Sequence, residues 1–171
     1  MIQNSEQLKQ GTKGEDLFEQ WLDIRGYTKN VDYERYTYED NPVEQKNHID
    51  FKVLGHTVDV KWGHTVSKYG NITAEYKQIK YEVGGHRTDI DNNWLRDCKS
   101  EFMAYGDSVY RKFYLVDVER LRKFIANPEN KKHFITKHMT NDGSIYSFFY
   151  AMPYAVLEGQ GVIIAEICIG E

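Results

Sequence analysis

Between His48 and Trp62 polar and apolar residues alternate with period two on both sides of a single glycine, Gly55. A strand points successive side chains to opposite faces, so this pattern dictates a β-hairpin. Ile49, Phe51 and Val53 share one face with Val58, Val60 and Trp62, and His48, Asp50 and Lys52 share the other with Thr57, Asp59 and Lys61. A type II′ turn at Gly55-His56 sets Asp50 opposite Lys61 and diagonal to Asp59; a loop centred one residue earlier sets Asp50 opposite Asp59. Either register keeps the same residues together, because a one-residue slip would place the apolar set of one strand beside the polar set of the other.

Two aspartates on neighbouring strands repel by roughly 0.2–1 kcal/mol even when solvated. Lys61 supplies one positive charge against them, and a divalent cation would supply two. Carboxylate oxygens suit Mg²⁺, Mn²⁺ or Ca²⁺ rather than zinc. A solvated hairpin face with incidental charges accounts for the pattern equally well, so the hairpin alone does not decide between them.

Upstream, Leu17, Phe18, Trp21, Leu22 and Ile24 recur at helical spacing within Gly14 to Tyr27, and Gly26 has the place of a C-cap. The same segment puts Glu15 in the first turn of this helix, where a carboxylate complements the positive N-terminus.

Taken together, Glu15 on a first helix, Asp50 on a strand and Asp59-Val60-Lys61 on the next strand resemble the PD-(D/E)XK nuclease superfamily, which has the restriction-endonuclease-like fold. The spacing of nine residues from Asp50 to Asp59 agrees with it; Ile49 stands where the motif has proline. The likeness extends over about residues 12–126: a following strand at Asn71–Tyr76 carrying Glu75, a helix-turn at Asn93-Trp94-Leu95, a strand at Glu101–Asp107, and a strand from Phe113 that runs into an amphipathic helix through Arg122.

The resemblance implies an α/β fold, a mixed central β-sheet flanked by helices with the Asp50/Lys61 hairpin as its second and third strands. It also implies a Mg²⁺-dependent nuclease, Mn²⁺ substituting, most naturally a DNA endonuclease of restriction or mobile-element type. Asp50 and Asp59 become the principal metal ligands and the Val60 carbonyl a further one. Glu15 binds a second ion or orients a metal-bound water, and Lys61 lies beside that water. Neighbouring carboxylates keep Lys61 protonated, so its role is electrostatic. His48 and Glu75 are further candidates, each with an ordinary surface reading beside the functional one. A junction resolvase, acting as a homodimer, and a non-catalytic nucleic-acid-binding module are the alternatives.

At 171 residues the chain is read as one domain, with a core at about 12–126 and peripheral additions over 127–171. A net charge of −4 argues against bulk electrostatic DNA binding and leaves room for a local basic patch. Arg111-Lys112, Arg120, Arg122-Lys123 and Lys131-Lys132-His133 with Lys137 and His138 are the candidates. Tyr33, Tyr36 and Tyr38 crowd one expected strand, and Tyr69 and Tyr76 fall near the site, where packing is the simpler reading. Cys98 and Cys168 have no C-x-x-C partner and read as reduced thiols of a cytoplasmic protein. The most apolar run, Gly161–Ile169, is too short for a membrane span and reads as a strand, as does Ser144–Met152. Residues 84–93 and 127–144 read as loops.

Overall fold

Apolar spacing along the first helix and period-two alternation along the strands build two apolar layers, one on each face of a central sheet. The computed structural model describes residues 5–82, 84–90, 93–140 and 145–170. In chain order the elements are α1 (Ser5–Ile24), β1 (Tyr33–Arg35), α2 (Pro42–Lys46), β2 (Phe51–Val53), β3 (His56–Gly63), α3 (Thr65–Tyr69), β4 (Asn71–Tyr81), β5 (Arg87–Ile90) and α4 (Trp94–Asp97). They continue with β6 (Phe102–Asp107), β7 (Lys112–Asp117), α5 (Val118–Ala126), a 3₁₀ turn at Pro128–His133, β8 (Ile135–Thr140), β9 (Ile145–Pro153), α6 (Tyr154–Gly159) and β10 (Ile163–Cys168).

The central sheet has the order β1-β2-β3-β6-β7-β10. It is mixed, because β3 and β6 run parallel while the other neighbours are antiparallel. One face carries Phe51, Val58, Val60, Ala104 and Phe113 against Phe18 and Leu22 of α1. The opposite face carries Met103, Tyr105, Tyr114 and Val116 against Ile72, Ala74, Trp94, Leu121 and Met152. Both faces are therefore covered, and the alternation in β3 does not mean that its polar residues face water. Helix α1 lies so close that a Cβ at Gly14 would run into Trp62, as would one at Gly106 on the next strand.

The sheet decides between the two hairpin registers and departs from expectation in two further places. The hairpin turns at Leu54-Gly55, with φ of 49° and 90°, the earlier of the two loop positions that the alternation allows. Two positive φ values make a type I′ turn, whose twist suits an antiparallel pair. Phe51 accordingly faces Val58, the register that brings Asp50 toward Asp59.

Strand β4, expected to follow in the same sheet, instead pairs with β9 in a second, four-stranded antiparallel sheet of order β5-β4-β9-β8. Two expected loops are partly strand: Arg87–Ile90 returns along β4 after Gly84 and Gly85, and Ile135–Thr140 pairs with β9. Asp91, Asn92 and residues 141–144 lie outside the described residues. Beyond residue 134 the chain enters both sheets, with β9 beside β4 and β10 beside β7. Tyr33 lies on β1, which ends before Tyr36 and Tyr38. Among the described residues no helix is long and apolar enough to cross a membrane.

Candidate functional site

Asp59 lies at the middle of β3 between two buried valines and is itself only 1% exposed. Its Oδ1 accepts a hydrogen bond from Lys61 Nζ at 2.8 Å, and its Oδ2 accepts one from Trp94 Nε1 at 3.0 Å. Trp94 opens the short helix α4, which is set by its N-cap: the Asn93 side chain accepts from the Arg96 amide. A buried carboxylate without donors would be costly, so the indole and the ammonium are what make Asp59 tenable here.

Asp50 is placed by an irregularity in the hairpin. Phe51 faces Val58, and the Asp50 amide donates to the Val58 carbonyl at 2.9 Å, so residues 50 and 51 both oppose residue 58. That two-against-one count is a β-bulge, a device that re-aims a side chain. The Asp50 carboxylate then takes the place of the absent strand: Oδ2 accepts from the Val60 amide at 2.7 Å and Oδ1 from Gln45 Nε2 at 3.0 Å. In a strand the N–H and C=O of one residue point to the same edge, so the Val60 carbonyl faces this gap as well.

Burial, and then the charge of Asp59, push the Asp50 carboxyl up to about 6, against the pull of Lys61 and the Val60 amide. Burial lowers the Lys61 ammonium, yet Asp59 and Asp50 more than offset it and hold the group above the ordinary lysine value. Lys61 is thus a standing positive charge, with its side chain 40% exposed into the cleft.

Glu15 corrects the sequence reading: it lies in the middle of α1, not in the first turn, so the helix terminus does not stabilise it. Arg35 does, donating to Glu15 at 3.1 Å and to Asp16 and Glu19 at 2.7 Å each. Burial and then Asp50 raise the Glu15 carboxyl, and Arg35 opposes them.

Glu15, Asp50, Asp59, Val60 and Lys61 line one cleft of about 390 Å³, together with His48 and Gln45. His48 belongs to the loop after α2 rather than to the hairpin's polar face, and it adopts φ of 56° with its carbonyl accepting from Ser100 Oγ at 2.6 Å. Burial and then Lys61 lower its imidazole. Glu75 is on the second sheet and lines a neighbouring cavity that also touches Lys61.

Among the described residues no three His, Cys, Asp or Glu side chains form a ready-made metal cage. Mg²⁺ typically needs none, since one or two carboxylates plus waters and substrate phosphate hold it. Two adjacent carboxylates, one reluctant to ionise, and an open backbone carbonyl form an all-oxygen donor set that fits Mg²⁺ or Mn²⁺ in that manner.

Sequence reasoning missed Arg35, Gln45 and the contact of Trp94 with Asp59. The acidic run Glu15, Asp16 and Glu19 on one helix signals a missing cation, and Arg35 is that cation; the other two carried no local signal. Four of the basic candidates are occupied structurally. Lys112 pairs with Glu166 and Lys123 with Glu119, Arg120 reaches Asp117, and Arg122 donates to the Leu95 and Cys98 carbonyls. Tyr76 stacks on Tyr150, with ring centroids 4.3 Å apart, outside the cleft. Cys98 and Cys168 are free thiols, and burial and then Asp59 push Cys98 up to about 12. No family model, curated protein or solved structure matches the chain.

Proposed function

We propose that this chain is a divalent-metal-dependent nuclease that hydrolyses phosphodiester bonds in DNA at the open edge of β3. One observation carries the reading: two buried aspartates share a cleft with a permanently charged lysine, an arrangement that costs stability and has no packing rationale. Such groups gather where chemistry needs them. The motif order of Glu15, Asp50, Asp59 and Lys61, with its resemblance to PD-(D/E)XK nucleases, and the mixed sheet built on that hairpin support the same conclusion.

Asp50, Asp59 and the Val60 carbonyl would hold Mg²⁺ or Mn²⁺, which supplies charge for the phosphoryl oxygens and acidifies water when bound. Lys61 stabilises the charge that grows on those oxygens, as a preorganised point charge in a partly dry cleft. Glu15, raised by burial and steadied by Arg35, accepts a hydrogen bond from the attacking water and orients it. Trp94 and Gln45 position the two aspartates. His48, its imidazole lowered, is neutral at pH 7 and serves as a hydrogen-bonding wall of the cleft.

The test is incubation with supercoiled, linear, single-stranded and four-way-junction DNA in Mg²⁺, Mn²⁺ or EDTA. Cleavage is expected with either metal and not in EDTA, with losses of about 10²–10³ in Asp59→Asn and Lys61→Ala, the scale typical of a lost electrostatic stabiliser. Equal cleavage by wild type and both variants would overturn the assignment. Binding without cleavage under every condition would mark a non-catalytic module instead.

A further inference from the structure

The cavity on the far side of Lys61 has no part in the hydrolysis just described. It encloses about 320 Å³, and Trp62, Trp94, Tyr105 and Phe149 supply aromatic wall, with Glu75 as its carboxylate. His48, Lys61 and Trp62 line this cavity and the Asp50/Asp59 cleft alike, so the two spaces share a wall. Resting on the nuclease reading, we infer that the cavity receives one unstacked nucleobase adjoining the scissile phosphate and selects bases that carry an exocyclic amino group.

Size and wall chemistry agree on the occupant. The volume is at the small end of ligand pockets, about 300–1,000 Å³, which suits a single planar ring system. Aromatic side chains bind unstacked bases through their faces. Two of the rings are held in place: Trp94 by its bond to Asp59 at 3.0 Å, and Tyr105 by Thr65 at 2.5 Å and Thr73 at 2.8 Å through its hydroxyl. The first of these ties the base-binding wall directly to a carboxylate of the cleft.

Glu75 provides the selectivity. It faces Phe149 across the β4/β9 ladder, and a bulge between Glu75 and Lys77 interrupts the register beside it. Bulges recur next to active sites because they re-aim side chains. Ser147 and Gln78, the latter through Nε2 at 3.0 Å, each donate to the carboxylate, yet burial still raises it, so its charged form gains from a further hydrogen-bond donor. The amino groups of cytosine and adenine are such donors. Thymine presents a lone N3–H between two carbonyl oxygens, which would meet the carboxylate unfavourably.

A third cavity, where Asp97 holds Arg96, also meets the cleft at His48, and its Lys46 and Lys99 supply cations for flanking phosphates. Unstacking a base is least costly in single-stranded or mismatched DNA, so DNA of that class is the substrate.

The experiment measures binding by fluorescence anisotropy in EDTA, where the oligonucleotides stay intact. The probes are labelled all-dT strands, the same strands with one central dC, and strands of the same length made of abasic nucleotides throughout. The single dC should tighten binding about tenfold over all-dT, and Glu75→Met should erase that difference. Phe149→Ala should weaken both base-bearing strands about tenfold and leave the abasic strand unchanged, thermal melting having shown both variants folded. Binding of dC no tighter than of dT, or a preference that persists in Glu75→Met, would overturn the inference. Plasmid cleavage in Mg²⁺, assayed in parallel, separates the two readings. Cleavage retained without a dC preference removes this inference alone, whereas absence of both cleavage and binding removes the nuclease reading with it.

Discussion

Two hairpins in this molecule use the same local rules and reach opposite electrostatic states. The β2/β3 hairpin holds the Lys61–Asp59 pair at 2.8 Å with Asp59 buried, and the β4/β5 hairpin holds Lys77–Asp89 at 3.1 Å with both partners open to water. Both turn on residues with positive φ; the first pair lies two residues apart on β3, and the second joins β4 to β5. In the first, burial and a second aspartate raise the Asp50 carboxyl; in the second, Lys77 and Arg87 draw the Asp89 carboxyl down. The difference comes from what covers each hairpin, α1 and Trp94 on one and solvent on the other. A charge pattern becomes a site when distant parts of the chain remove its water.

Four measurements sharpen or break this contrast. The largest effect is expected on cleavage: Asp59→Asn should lower the rate by about 10³ and Asp89→Asn should leave it unchanged. A matching loss in the Asp89 variant would erase the distinction between the hairpins.

Next comes stability. Asp59→Ala strands the Lys61 ammonium and the Trp94 N–H, and urea unfolding should show a loss of about 2–3 kcal/mol, the low end for a broken buried pair because Lys61 reaches solvent. Asp89→Ala should not shift the urea midpoint.

The third measurement is pH dependence. Folded Asp50 holds its proton to about 6, well above the ordinary carboxylate value, so the unfolded chain releases that proton first. This stabilisation is complete below about pH 4 and is lost as pH rises through about 6, with a slope of up to roughly 1.4 kcal/mol per pH unit. Glu15 adds to it in the same direction. Thermal melts of the metal-free protein should follow that slope, Asp50→Asn should flatten it, and Mg²⁺ should stabilise most above pH 6. A flat profile in the wild type would contradict the strained aspartate pair.

The smallest effect is at the turn. Leu54 is exposed and left-handed, a conformation that costs a side-chain-bearing residue about 1–2 kcal/mol and that asparagine tolerates better. Leu54→Asn should raise stability by about 0.5–1 kcal/mol and leave cleavage untouched.

Much of the fold was legible because period and turn chemistry are local. The first helix with its Gly26 stop, the β2/β3 hairpin, β6, β7 and α5 all follow from spacing, and the hairpin brings Asp50, Asp59 and Lys61 into one cleft. What was not legible depends on partners far away in the chain. Nothing near Asn71–Tyr76 says that this strand joins β9 instead of the hairpin's sheet. Glu15 read as a first-turn residue because the apolar spacing begins near Gly14, whereas the helix is already formed at Ser5. The type I′ turn was obscured by leucine standing where asparagine or glycine is usual. Gln45 and Trp94 carry no period or motif that would tie them to an aspartate.

The bond from Trp94 to Asp59 spans 35 residues of chain, while the hairpin that brings Asp50 and Asp59 together closes over a two-residue loop. Local loops close in microseconds or less, and long-range strand pairing waits on a larger entropy loss. The two carboxylates therefore meet early, in water, where their repulsion is cheap, and are dehydrated only when β6 and α4 dock. The electrostatic strain of the site is imposed late in folding, so conditions that relieve it should act on the docking step and leave hairpin formation alone.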